Sequence, residues 1–115
     1  MQVRDATIVL DREQLRDVTL DDEDLMREIV AALIEDTSRQ MPMLESAIRA
    51  EDPQKCMRLA HYSKGACANL GANAAAAVLK QIERKAADHE FPECRASLAA
   101  LAAEIERLRF EAFGI

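Results

Sequence analysis

Apolar residues recur at steps of three and four through most of this chain, which is the pattern of helices that each bury one face. The cleanest stripe lies near the C-terminus, where Cys94, Leu98, Leu101, Ile105, Leu108 and Ala112 predict a helix over about 92–112, opened by Phe91-Pro92. Met26, Ile29, Val30, Leu33 and Thr37 form an earlier stripe that Met41, Leu44 and Ile48 continue. Its helix starts near Asp21, where Asp22, Glu23 and Asp24 favour the N-terminal dipole and read as a solvated first turn. Pro42 falls inside that pattern, removes one backbone donor and predicts a kink or break. Asp52-Pro53 pairs a capping acid with proline at the first helical position. The helix it opens has Cys56, Leu59, Ser63, Ala66 and Leu70 as its inward stripe and should end near Leu70, with Gly71 as a left-handed cap. Asn73 then predicts the cap of a helix over roughly 74–89, with Ala75, Val78, Leu79, Ile82 and Ala86 inward. At the N-terminal end, Thr7 to Leu10 is a short apolar run suited to an extended lead-in. Asp11 can cap a short helix over about 12–17 with Leu15 as its buried contact.

Four principal helices with short connections imply an all-α, up-down four-helix bundle with a short additional N-terminal helix. At 115 residues the chain reads as a single domain, 1–115, able to bury roughly two-thirds of its unfolded surface. Half of the residues are hydrophobic, but alanine supplies much of that fraction, and small side chains favour closely packed helices. Four consecutive alanines at 74–77 predict close approach of the fourth helix to the third across a very short turn. No internal repeat is evident.

Charge and cysteine content narrow the function classes. A net charge of −6 argues against a nucleic-acid surface and against an anionic membrane. No run has the length of a membrane-spanning helix, and the N-terminus carries no signal-peptide pattern, so the expectation is a cytoplasmic chain. Cys56, Cys67 and Cys94 are an odd number without a Cys-x-x-Cys pair and read as inert core thiols. His89 lies near a helix end and reads as an exposed or capping residue.

The candidate chemistry is at His61. On a helical wheel it lies roughly 200° from both Leu59 and Ser63, which turns it to solvent. Met57, Arg58, Lys64, Gly65 and Ala68 share that outward face. Imidazole is the side chain most readily neutral and nucleophilic near pH 7, and a cation one turn away suits an anionic substrate. Glycine inside a helix costs about 1 kcal/mol relative to alanine. Gly65 on the histidine face therefore suggests close approach of a partner. Met57 and Ala68 are small or flexible apolar groups suited to transient contact, and Met57 fits a boundary core position equally well. Leu15 and exposed positions of the helix that starts near Asp21 could extend the patch. No phosphate-binding glycine loop or Walker lysine is present, so there is no evident ATP site.

The stretch from His61 to Ala72 resembles the histidine-containing phosphotransfer (HPt) family of two-component phosphorelays. The family pattern is a histidine, two residues, Lys-Gly, five residues and Gly-Ala, matched here by His61, Lys64, Gly65, Gly71 and Ala72. Ser63 departs from it, since the family usually has an aliphatic residue there, which bears on packing. The resemblance implies that His61 is the phosphoacceptor through Nε2 and that Lys64 stabilises the phosphate. It also implies that Glu83, reached without a gap after Gly71-Ala72, orients the imidazole; the alternative is an ordinary surface Glu. Lys80 on the same helix could add positive potential. Met57, Arg58, Gly65 and Ala68 would then contact the partner. The implied partners are response-regulator receiver domains and a hybrid histidine kinase, met by a monomeric carrier that needs no cofactor of its own. The acceptor aspartate and divalent metal would belong to the receiver. On this resemblance the chain is a stoichiometric phosphoryl carrier and not an enzyme.

Three other readings fit less well. A helical adaptor could keep the scaffold and lack transfer. The dimerisation domain of a sensor kinase usually follows its histidine with acid, apolar, Arg and Thr-Pro, which His61-Tyr62-Ser63-Lys64 does not match. A metal site would rest on two histidines 28 residues apart, with no His-x-x-x-His or Glu-x-x-His pair.

Overall fold

The structure, a computed structural model, describes residues 5–115. The chain ahead of Asp5, which the sequence leaves ambiguous, lies outside the described residues. The described residues form five helices in chain order: α1 (Arg12–Val18), α2 (Glu23–Arg49), α3 (Pro53–Asn69), α4 (Asn73–Ala87) and α5 (Phe91–Ala112). Around the bundle α2 packs on α3, α3 on α4, α4 on α5 and α5 on α2, while α1 sits against α2. The α3–α4 side is therefore opposite the α2–α5 side.

Three helices start on aspartates. Asp11, Asp22 and Asp52 each accept a hydrogen bond from the backbone N–H three residues on, at 3.1 Å. The predicted ends are met within a residue or two, with two exceptions. Pro42 does not break α2, which runs unbroken from Glu23 to Arg49. Thr37, Leu44, Ala47 and Ile48 are buried on either side of it, so core packing holds the helix through one missing donor. Asn73 is not the cap of α4. It is the first helical residue, Ala72 occupies the cap position, and no side chain caps this end. The lead-in serves instead: Ala74 N–H donates to the Ile8 carbonyl at 2.9 Å. The Asn73 amide is buried with both polar atoms unpaired among the described residues.

The α3–α4 turn is three residues long and closes around Gly71. Gly71 has φ +85°, Ala72 N–H donates to the Cys67 carbonyl at 2.9 Å and Gly71 N–H to the Ala68 carbonyl at 3.4 Å. This is a Schellman closure around a left-handed residue. Asp11 N–H donates to the Gly71 carbonyl at 2.8 Å, which pins the turn to the lead-in. A Cβ on Gly71 would stand 2.7 Å from the Asp11 carbonyl oxygen.

The main core gathers Leu15, Val30, Leu33, Leu44, Leu79 and Leu101 with their neighbours from all five helices. A smaller cluster of Ala47, Ile48, Cys56, Ala86, Phe91 and Cys94 closes the other end. The buried line of α3 differs from the predicted stripe. Cys56, Ala60, Ser63 and Cys67 are buried, while Leu59, Ala66 and Leu70 are only partly covered. The line runs through the smallest side chains because α3 lies close against α2 and α4, and volume outranks hydropathy there. The three thiols are buried, and burial pushes Cys56 and Cys67 each up to about 11. No helix of the described residues is long and apolar enough to cross a membrane.

Candidate functional site

His61 stands two turns into α3, turned away from the buried line of Cys56, Ala60, Ser63 and Cys67, and its side chain is 69% exposed. The helix under it is anchored on both sides of the ring by the buried Cys56, Ala60, Ser63 and Cys67, so the imidazole projects from a rigid base. Across the groove, α4 brings Glu83 to it. Ile82 and Ala86 are buried on the core side of α4, which turns Glu83 toward α3.

Glu83 binds two partners at once. One carboxylate oxygen lies 3.0 Å from His61 Nδ1, and the other accepts a hydrogen bond from Lys64 Nζ at 2.7 Å. Lys64 and Glu83 are both mostly covered, with side chains 27% and 23% exposed. Burial is the largest single influence on the Glu83 carboxyl and raises it. The hydrogen bond and charge of Lys64, followed by those of His61, act the other way and together prevail. Glu83 therefore titrates below the ordinary carboxylate value of 4.5 and is ionised at neutral pH. An ionised carboxylate only accepts hydrogen bonds. The ring proton is accordingly assigned to Nδ1, which leaves the Nε2 lone pair free.

The other residues singled out in the sequence fall around this trio. A Cβ on Gly65 would meet nothing within 4 Å, so no contact inside the molecule requires glycine there. Gly65, Lys64 and Ala68 line a groove of about 380 Å³ along the α3–α4 seam, with Asn73, Ala76 and Lys80 on its other side. Lys80 is exposed and makes no ion pair among the described residues. Arg58 is exposed, and Met57 is half-buried against the smaller core cluster. Ala68 is half-buried, and its carbonyl accepts a hydrogen bond from Gln14 Nε2 at 2.7 Å. Leu15 is fully buried and adds nothing to the surface. His89 is exposed at the end of α4, with its ring edge-on to Phe91 at 6.0 Å between centroids. Sequence reasoning did not anticipate the Lys64–Glu83 pair. Its signal would have been that the two residues occupy facing positions of antiparallel helices joined by a known tight turn.

The Hpt domain family model matches residues 28–111, which include every residue of the site. A similar solved structure is histidine-containing phosphotransfer protein B (HptB) from Pseudomonas aeruginosa PAO1. It is 24% identical, covers 92% of each chain and superposes with a TM-score of 0.83, which establishes the common fold. No curated protein matches the sequence. Proteins of the Hpt family are phosphoryl carriers in two-component signalling, not enzymes, and they interact with receiver domains. With most of its length matched by that family's model, this chain belongs to the Hpt domain family.

Proposed function

We propose that His61 accepts a phosphoryl group from the aspartyl phosphate of one receiver domain and passes it to the aspartate of another. The observation that carries this reading is the Glu83 bridge, with Nδ1 of His61 at 3.0 Å and Lys64 Nζ at 2.7 Å. In the forward step the Nε2 lone pair attacks phosphorus. The bond from phosphorus to the aspartyl oxygen breaks, and the aspartate leaves as a carboxylate with that electron pair. The proton on Nδ1 stays on the ring. The positive charge that the imidazole acquires is balanced by the Glu83 carboxylate beside it. The second transfer is the same displacement reversed, with a new carboxylate as nucleophile.

Lys64 has three N–H donors, one of them on Glu83. The other two serve the phosphoryl oxygens as a point charge while the first keeps the ammonium in place. Catalysis here is positioning and charge placement, which suits a carrier that holds the group for onward transfer. Met57, Arg58, Gly65 and Ala68 form the nearest part of the docking surface. At Gly65 the vacant Cβ position admits partner atoms close to the helix backbone.

The test is label transfer from phosphorylated receiver domains to wild type and to His61→Gln. The wild type acquires an acid-labile, base-stable label and His61→Gln acquires none while keeping its helical circular dichroism. Retained acid-labile labelling of the folded variant refutes His61 as the acceptor.

A further inference from the structure

The net charge of −6 conceals a strong asymmetry. Helices α3 and α4 hold six of the chain's 15 Lys and Arg residues, namely Lys55, Arg58, Lys64, Lys80, Arg84 and Lys85, but only one of its 21 Asp and Glu residues, Glu83. The α3–α4 hairpin therefore carries +5, and the rest of the chain, with nine cations and twenty acids, carries −11. Within the hairpin, Glu83 is already neutralised by Lys64 at 2.7 Å. Lys55, Arg58, Lys80 and Arg84 are exposed and make no ion pair among the described residues. Elsewhere Arg12, Arg16, Arg27, Arg39, Arg49, Arg107 and Arg109 face a carboxylate, and Arg95 is the one cation outside the hairpin, among the described residues, that makes no ion pair. The uncompensated cations are thus concentrated on the two helices that build the His61 site.

We propose that the α3–α4 hairpin is an electrostatic docking face, which draws in receiver domains by an acidic surface around their phosphorylated aspartate and turns them toward His61. This rests on the phosphotransfer reading above. The complementary chemistry follows from the substrate. An aspartyl phosphate is itself anionic, and the divalent metal of such a site is held by carboxylates. A positive face on a negative body orients an incoming acidic partner before contact, because the −11 remainder repels the same partner from every other side. The groove beside Lys64 and Lys80 is continuous with the site, so a partner seated on His61 covers both. A long polyanion fits less well, since it would extend from a face about 25 Å long onto acidic surface.

The experiment measures the second-order rate constant of transfer from a phosphorylated receiver at limiting receiver, between about 20 and 300 mM NaCl, where screening of exposed charges becomes strong. Wild type is compared with Lys55→Gln/Arg84→Gln and with Arg27→Gln/Arg39→Gln, which makes the same net charge change on the opposite α2–α5 side. Labelling of each by phosphoramidate, a small donor that needs no docking face, is measured in parallel. The expected result is about a tenfold fall for wild type across that salt range. The hairpin variant starts several-fold slower and has a flatter slope, the α2–α5 variant follows wild type, and all three label equally with phosphoramidate. Coincident salt curves for the two variants overturn the proposal, since net charge alone would then account for them. So does a flat wild-type curve combined with low-salt binding to duplex DNA or to vesicles containing phosphatidylserine. A wild type that phosphoramidate labels but no receiver does refutes the receiver-relay reading itself, and the docking face with it.

Discussion

Replacing Glu83 by Gln separates the two functions proposed for its carboxylate. Glutamine keeps the length and an acceptor oxygen but loses the charge, so the imidazole can still be oriented while its positive charge is no longer balanced. In the proposed transfer the ring acquires that charge about 3 Å from the carboxylate as Nε2 bonds to phosphorus. Two unit charges about 4 Å apart interact by about 1 kcal/mol in water and about 4 kcal/mol in the intermediate dielectric of a protein surface. The His61 side chain is 69% exposed, which puts the effective value near the lower end, about 1.5 kcal/mol. That corresponds to roughly a tenfold loss in transfer rate. The ion pair with Lys64 is better shielded, at 27% and 23% exposure, and its loss costs about 1 kcal/mol of stability. For a chain of this length that lowers the melting temperature by about 4 °C.

Single-turnover labelling by phosphoramidate is the appropriate assay, because it removes partner docking from the measurement. Phosphohistidine is quantified against time for wild type, Glu83→Gln and Lys64→Met, alongside a melting curve for each. Glu83→Gln should label about tenfold more slowly. Lys64→Met should lose a similar amount of stability while leaving the ring bond to Glu83 intact. If Glu83→Gln labels at the wild-type rate while its melting temperature falls, the carboxylate serves only to pin Lys64, and its role toward the imidazole is refuted.

Gly65→Ala should raise stability by about 1 kcal/mol, since the new methyl meets nothing within 4 Å and alanine is the better helix former. Gly65→Gln should keep the fold and phosphoramidate labelling but slow transfer from receivers, and unchanged receiver transfer would remove the close-approach argument. Gly71→Ala should destabilise by about 3 kcal/mol in urea unfolding, because φ +85° is strained for alanine and its Cβ would stand 2.7 Å from the Asp11 carbonyl oxygen. The folded-state pKa of Glu83 is depressed, so its contribution to stability is complete above the ordinary value of 4.5 and is lost as pH falls through the lower folded value. The stability gap between wild type and Glu83→Gln should therefore close on acidification below pH 4.5, and a constant gap would contradict the shift.

The helices were legible because their starts carry strong local chemistry. Asp11, Asp22 and Asp52 all cap, and Gly71 ends α3 in the left-handed conformation assigned to it. Other ends were obscure for a physical reason. Glu51 and His89 also take positive φ, at 52° and 58°, without being glycine, so composition does not mark those closures. Asn73 shows the opposite failure, a favourable capping residue at a helix start where the lead-in supplies the cap. The first-turn N–H of Ala74 donates to the Ile8 carbonyl, sixty-six residues earlier, and no local pattern contains that contact. Pro42 likewise does not end its helix, because the buried residues around it outweigh one lost hydrogen bond.

The site shows the same division between local and long-range information. His61, Lys64 and Gly65 lie within two turns of one helix, so their common face follows from helical geometry alone. Glu83 depends on the register between two helices. That register was recoverable only because the turn between them is short and closed by Gly71, which leaves little freedom in how α3 and α4 align. The direction of Lys64 was not recoverable, because a flexible ammonium could face either a phosphate or a neighbouring carboxylate. It takes the Glu83 carboxylate at 2.7 Å. The same carboxylate holds both the cation and the ring, so the turn at Gly71 sets the alignment on which the proposed acceptance at His61 depends.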